Sequence, residues 1–162
     1  MAAVKLGINA KLFYNAGTYG TPTWTEVTMI DDLTETTKAQ KAAANDRSSP
    51  INKSVVTSVD LSWNGKIKND ESTTFNLLYE AILEKATVDI LVINGGSTTN
   101  GVRGFRADVQ VHDMSDAQGR NDSIYHDFMF EPTDSSNAVK AVLVTGGALT
   151  YATVTGTTLS FA

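Results

Sequence analysis

His112 and His126 are the only imidazoles in the chain and so the first candidates for a proton shuttle. Neither has the HxH or HxxxH spacing that would bring two rings onto one metal ion. Each falls in a predicted strand, His112 facing away from its apolar residues and His126 among them, which reads as an ordinary surface or core histidine. Asp31 with Asp32, Asp113 with Asp116, and Asp122 with Asp127 offer paired carboxylates of the type used in acid–base catalysis; the fondness of turns for aspartate accounts for the middle pair more simply. Gly95-Gly96 and Gly101-Val102-Arg103-Gly104 look like a glycine-rich phosphate loop, yet no helix follows to present its amino end to an anion, so they read as turn glycines. No serine sits in a GxSxG or SxxK context. Trp24 and Trp63 lie on strand parities and read as core, with Trp24, just after Pro22, better placed for exposure. No catalytic constellation emerges, and the expectation is a protein that is not an enzyme and needs neither cofactor nor metal.

The composition narrows the alternatives. With 162 residues, 41% of them hydrophobic, the chain suits one domain with a real core. It has no cysteine, which excludes a disulfide framework, thiolate metal sites and a cysteine nucleophile. A formal charge of -5 and no cluster of Lys and Arg argue against a surface that grips nucleic acid. Lys5, Asn9 and Lys11 interrupt the apolar run that a signal peptide would need, so no export is expected. No apolar stretch approaches the roughly 20 residues that span a bilayer. Without a secretory route, the sequons at Asn52 and Asn121 are chance matches.

The elements follow from periodicity. Residues 55 to 67 alternate, with Val55, Val59, Leu61, Trp63 and Ile67 on one parity, the mark of a strand with one buried face. Directly after it, Phe75, Leu78, Tyr79 and Ile82 form an apolar helical stripe able to lie across that strand, within a helix at about 71–85 capped by Asp70 or Ser72. Upstream, residues 4 to 14 predict a strand carrying Leu6, Ile8, Leu12 and Phe13, and the stretch from Trp24 to Ile30 another. The ambiguous run from Asp31 to Ala44 leans to an exposed strand. Residues 45 to 53 are polar and aperiodic, and Pro50 rules out a central strand there. Downstream, VDILVIN predicts a strand buried on both faces at the centre of the sheet. Next comes a strand with Phe105, Ala107, Val109 and Val111 inward and Arg106, Asp108, Gln110 and His112 outward. MSDAQGRND is a turn, and a further strand with Ile124, Phe128 and Phe130 on its apolar face ends at Pro132. Gly146-Gly147 joins two β-branched runs as a hairpin, and a closing strand is expected at 157–162.

Taken in order, Trp24-Thr25-Glu26-Val27, Asp32-Leu33-Thr34, Ala44-Asn45-Asp46-Arg47, the Trp63 strand, the helix from Phe75 to Ala81, VDILVIN and the Arg103-Gly104 strand resemble the tail tube proteins of long-tailed bacteriophages. The resemblance covers roughly residues 20 to 132. It implies a mainly β fold with one flanking α-helix, a β-sandwich or split barrel, here residues 1–135, with 136–162 a hairpin and strand extension of the same domain. That extension departs from the family pattern. The family further implies a virion protein, put together in the host cytoplasm, that assembles with itself into hexameric rings. These stack into the conduit for DNA, which passes without tight binding, and meet a tape measure protein and tail tip or terminator proteins; no membrane is involved. On this reading Asn45, Asp46, Arg47, Ser48, Ser49 and Pro50 form a contact arm toward the next ring. Long strands with unprotected edges fit assembly, because pairing between neighbours removes the edges, and an acidic channel would repel phosphates. The competing reading is a β-sandwich binding module that recognises a glycan or receptor through Trp24, Tyr19 and the glycine-rich turns.

Overall fold

The computed structural model describes residues 10–44, 53–117, 124–154 and 159–161. Among them run β1 (Lys11–Asn15), β2 (Trp24–Glu26), β3 (Ile30–Ala43), β4 (Ser54–Lys68), α1 (Thr73–Glu84), β5 (Val88–Ile93), β6 (Arg103–Ala117), β7 (Tyr125–Pro132), β8 (Lys140–Thr145) and β9 (Ala148–Thr153). The strands form one antiparallel sheet in the order β2-β1-β5-β6-β7-β4-β3, with the β8–β9 hairpin attached to β6. The protein is thus mainly β with one flanking helix, as expected.

β6 organises the sheet, a role the sequence reading gave to VDILVIN. Its fifteen residues are long enough to hold β5 on one edge over Gly104–Val109, and on the other edge first β8, over Arg103–Arg106, and then β7, from Val109 onward. Where β8 and β7 part, the barrel splits. VDILVIN, as β5, is buried on both faces as predicted. One face joins the main core, which includes Leu12, Trp63, Phe75, Leu78, Ile90, Val109, Phe128 and Phe130. The other meets a smaller core under the β8–β9 hairpin, formed by Phe13, Leu91, Ile93, Val102, Val142 and Val144. The hairpin turns through Gly146 and Gly147 at φ 62° and 79°, the left-handed pair that a two-residue connection requires. Gly104 is obligatory for a different reason: a Cβ there would stand 1.9 Å from the Val92 carbonyl oxygen.

α1 starts where Ser72 Oγ accepts from the Phe75 amide, while Asp70 in turn accepts from the Ser72 amide. It ends on Lys85, left-handed at φ 54°, whose amide reaches the Ala81 and Ile82 carbonyls. The buried stripe is Phe75, Leu78 and Ala81, with Tyr79 at the exposed rim. The helix, expected to lie across the strand that is now β4, packs chiefly on β6 instead, and Phe75 meets the rings of His126 at 5.0 Å and Phe128 at 6.2 Å.

Several expectations need correction. The stretch from Trp24 to Ile30 is two strands, because Val27 still bonds back to Leu12 of β1 whereas Ile30 opens the ladder with β4. The first strand starts at Lys11 among the described residues, and Leu6 and Ile8 lie outside them. Met114 to Ala117, read as a turn, continue β6. Ile124, expected on the apolar face, is exposed, whereas His126, Phe128 and Phe130 on that face are buried as expected. Of the closing strand, residues 159–161 carry no strand pairing, and 157, 158 and 162 lie outside the described set. Arg106 and Asp108, expected outside, are buried.

Candidate assembly interface

β3 and β4 form a two-stranded arm whose outer half is exposed on both faces, from Thr34 to Ala44 and from Lys53 to Asp60. The exposed strand expected over Asp31–Ala44 is therefore present. Directly paired residues share a face, so the pairing sorts the arm. One face carries Glu35, Thr37, Ala39, Lys41 and Ala43 opposite Trp63, Leu61, Val59, Val56 and Ser54; the other carries Thr34, Thr36, Lys38, Gln40 and Ala42 opposite Asn64, Ser62, Asp60, Ser58 and Val55. The first continues the core face, running from buried Ile67 and Trp63 through half-buried Leu61 to Val59 and Val56, which are 59% and 54% exposed. The second is hydroxyl- and amide-rich, with Lys38 opposite Asp60 and a Gln40–Asp60 hydrogen bond.

Here the sequence parity misleads. It groups Val55 with Val59, but the register shifts between Gln40 and Lys41 and leaves Thr57 as an extra residue in β4. A bulge of this kind exchanges the faces beyond it, so Val56 joins Val59 and Val55 turns to the polar side. A second shift in β3, at left-handed Asp32 (φ 53°), keeps Ile30 and Leu33 together over Gly65.

Both long edges of the arm are open. β7 pairs with β4 only over Trp63–Lys68 and ends at Pro132, which has no amide hydrogen with which to extend a ladder. From Ser62 outward, β4 has no second partner among the described residues, and β3 pairs with β4 alone. Beside the open β4 edge lies a groove of about 660 Å³ lined by Val59, Leu61, Phe105, Val139 and Val154, with Asp60, Pro132 and Glu131 at its side. Leu61, Phe105 and Val139 are partly buried members of the main core. The core thus opens to solvent at this groove.

The Ala44 amide bonds to the Lys53 carbonyl at 2.9 Å and closes the base of the connection between the two strands. The proposed contact residues Asn45, Asp46, Arg47, Ser48, Ser49 and Pro50 lie outside the described residues. The histidines do not converge: His112 is exposed, 3.7 Å from Glu131, whereas His126 is buried on the opposite face among the rings of Phe75, Tyr79 and Phe128, with no hydrogen-bond partner on either nitrogen. The carboxylates regroup. Asp32, Asp113 and Asp127, all exposed, rim one shallow hollow with Lys66, Asp31 is not among its lining residues, and Asp122 lies outside the described set. No group of three or more His, Asp or Glu among the described residues is placed to hold a metal ion. No described helix is long and apolar enough to cross a membrane.

One polar cluster escaped the sequence reading. Arg106 donates from Nε and Nη2 to the Asp89 carboxylate at 3.0 and 2.6 Å and from Nη2 to the Tyr19 carbonyl at 2.8 Å. Its guanidinium lies 3.8 Å from the centre of the Tyr19 ring and 5.1 and 5.7 Å from those of Trp24 and Tyr151. Asn15 adds a bond to Asp89 at 2.8 Å. Burial alone would lower the Arg106 pKa, but the hydrogen bond and charge of Asp89 outweigh it and hold it raised; burial likewise raises the Tyr151 phenol, against its bond to Trp24 and the Arg106 charge. The cluster pins the loop after β1 to the sheet. Its signal in the sequence was Asp89, a lone acid inside the apolar run VDILVIN, which demands a buried cation. Trp63 is core, and its Nε1 donates to Glu35 at 3.1 Å.

No family model matches the sequence, nor does any curated protein. Solved structures do match. The tail of an empty GTA particle refined with C6 symmetry aligns at TM-score 0.63 and 9% identity over 76% of this chain and 92% of that one. The SPP1 tail tube aligns at 0.62 and 7% over 78% and 74%, and the six-fold symmetrised baseplate of the anti-feeding prophage at 0.60 and 10% over 89% and 99%. At such identities the shared property is the fold: this chain has the fold of phage tail tube proteins, a split β-barrel with one flanking helix.

Proposed function

We propose that the chain is the structural subunit of a tail tube. Six copies join edge to edge in a ring, and rings stack into the conduit through which DNA is ejected. The observation that carries this reading is the arm, whose two long edges are both open among the described residues. An isolated sheet with such edges invites indiscriminate pairing, whereas strand-to-strand pairing between neighbours in a closed ring removes them. The six-fold symmetry of the GTA tail and of the prophage baseplate supports the number. Residues 1–135 make the tube domain and 136–162 its extension. Residues 45–50, which follow β3 and precede β4 in the sequence, reach the adjacent ring, with the tape measure protein inside and tip or terminator proteins at the ends; the protein assembles in the host cytoplasm and resides in the virion tail. The rival reading, a glycan or receptor module, is less favoured, because Arg106 of the same chain already lies near Tyr19 and Trp24, the rings it would use.

Negative-stain electron microscopy of the purified protein over a concentration series tests the reading. Six-fold rings and stacked tubes are expected; a protein that stays a monomer at high concentration overturns it. Removal of residues 45–51 should leave rings but weaken stacking, and tubes of unchanged length and stability would refute the bridging role.

A further inference from the structure

The groove beside β4 is a shaped seat, and we infer that its occupant is β3 of a second copy, held by Lys38 against an acidic rim formed by Asp60 and Glu131. This rests on the ring reading above and adds to it which surfaces meet. β7 stops at Pro132, so among the described residues the outer β4 edge from Ser62 to Ser54 has no strand beside it, and the cavity of about 660 Å³ lies at the inner end of that edge, against Val59–Ser62. A strand added there in antiparallel sense shares the faces of β4. Its core-face residues look down on Leu61, Phe105 and Val139, and its polar-face residues look toward Asp60 and Glu131.

β3 fits both demands. Its core face here is Thr37, Ala39, Lys41 and Ala43: Thr37 and Ala39 are small enough for a shallow apolar floor, and Lys41, farther out along the strand, can lay its stem along apolar surface with its ammonium in solvent. Its polar face presents Lys38, which the arm already sets opposite Asp60 within one copy. Seating a second β3 repeats that charge pairing across the junction and brings Lys38 near Glu131, which within its own copy lies 3.7 Å from the His112 ring. A strand of acidic polar face would be repelled from the same place.

The test is a charge exchange with a covalent readout. Lys38→Glu and Glu131→Lys should each raise the concentration needed for ring formation at least tenfold, and the double variant should recover most of it. All three should keep the far-UV spectrum and melting temperature of the parent, because both side chains are substantially exposed. The protein has no cysteine, so an Ala39→Cys, Val139→Cys double variant should give, on mild oxidation, a ladder of covalent oligomers on a denaturing gel. Single variants that assemble like the parent, a double variant no better than either single, or rings that form without any intermolecular disulfide would overturn the seat. Failure of the parent to assemble at all would instead refute the ring reading.

Discussion

Arg106 shows how much one side chain can hold. Its side chain is 4% exposed and that of Asp89 12%, so removing the cation strands a carboxylate in a largely dry site. Arg106→Met should cost about 3–5 kcal/mol in urea unfolding, the usual penalty for breaking a buried pair from one side, and Arg106→Met with Asp89→Leu should recover most of the loss. A weaker effect is expected at the helix start. The bond from Ser72 holds the Asp70 carboxyl below its usual range. A depressed folded pKa means that the contribution is present above the unfolded value near 3.8 and fades as pH falls through the folded one. Asp70→Ala should therefore lower the melting temperature at neutral pH, and the gap from the parent should close in acid below that window. These two residues also mark where reading by residue type succeeds and where it fails. The capping pair Asp70 and Ser72 was evident from local sequence, whereas Arg106 and Asp108 were assigned to solvent because alternation assumes that charged residues point out.

At the scale of elements, the arm contributes little to the body that carries it. Residues 38–44 and 53–60 are exposed throughout, so replacing residues 38–60 with a two-residue Asn-Gly turn between Thr37 and Leu61, which are directly paired, should leave the melting transition within a few degrees and abolish assembly. Circular dichroism and size-exclusion chromatography check the two halves of that statement. Most strands were legible in the sequence because alternation and turn chemistry are local: β6 through Phe105 to Val111, and β8 and β9 through Gly146-Gly147. The bulge at Thr57 was not, since one extra residue leaves no compositional mark, yet it decides that Val56 and not Val55 continues the core face. The openness of β4 was equally hidden. Pro132 announces the end of a strand, but which neighbour that ending leaves bare depends on the order of the sheet.

At the scale of the whole molecule, the open edges of the arm are different from one another: β3 offers two lysines, Lys38 and Lys41, on opposite faces, while β4 offers Asp60 and a groove that Glu131 of β7 also lines. If copies join edge to edge as proposed, an arc of them has a head and a tail, and growth stops only when they meet. A copy unable to use its β3 edge can still be captured through β4 and then ends the arc it has joined. Lys38→Glu protein mixed with parent at one part in ten would enter roughly half of all six-membered rings, so electron microscopy should find open arcs far out of proportion to its share. Such a poison acts at low dose because closure, unlike folding, is a property that every member must complete.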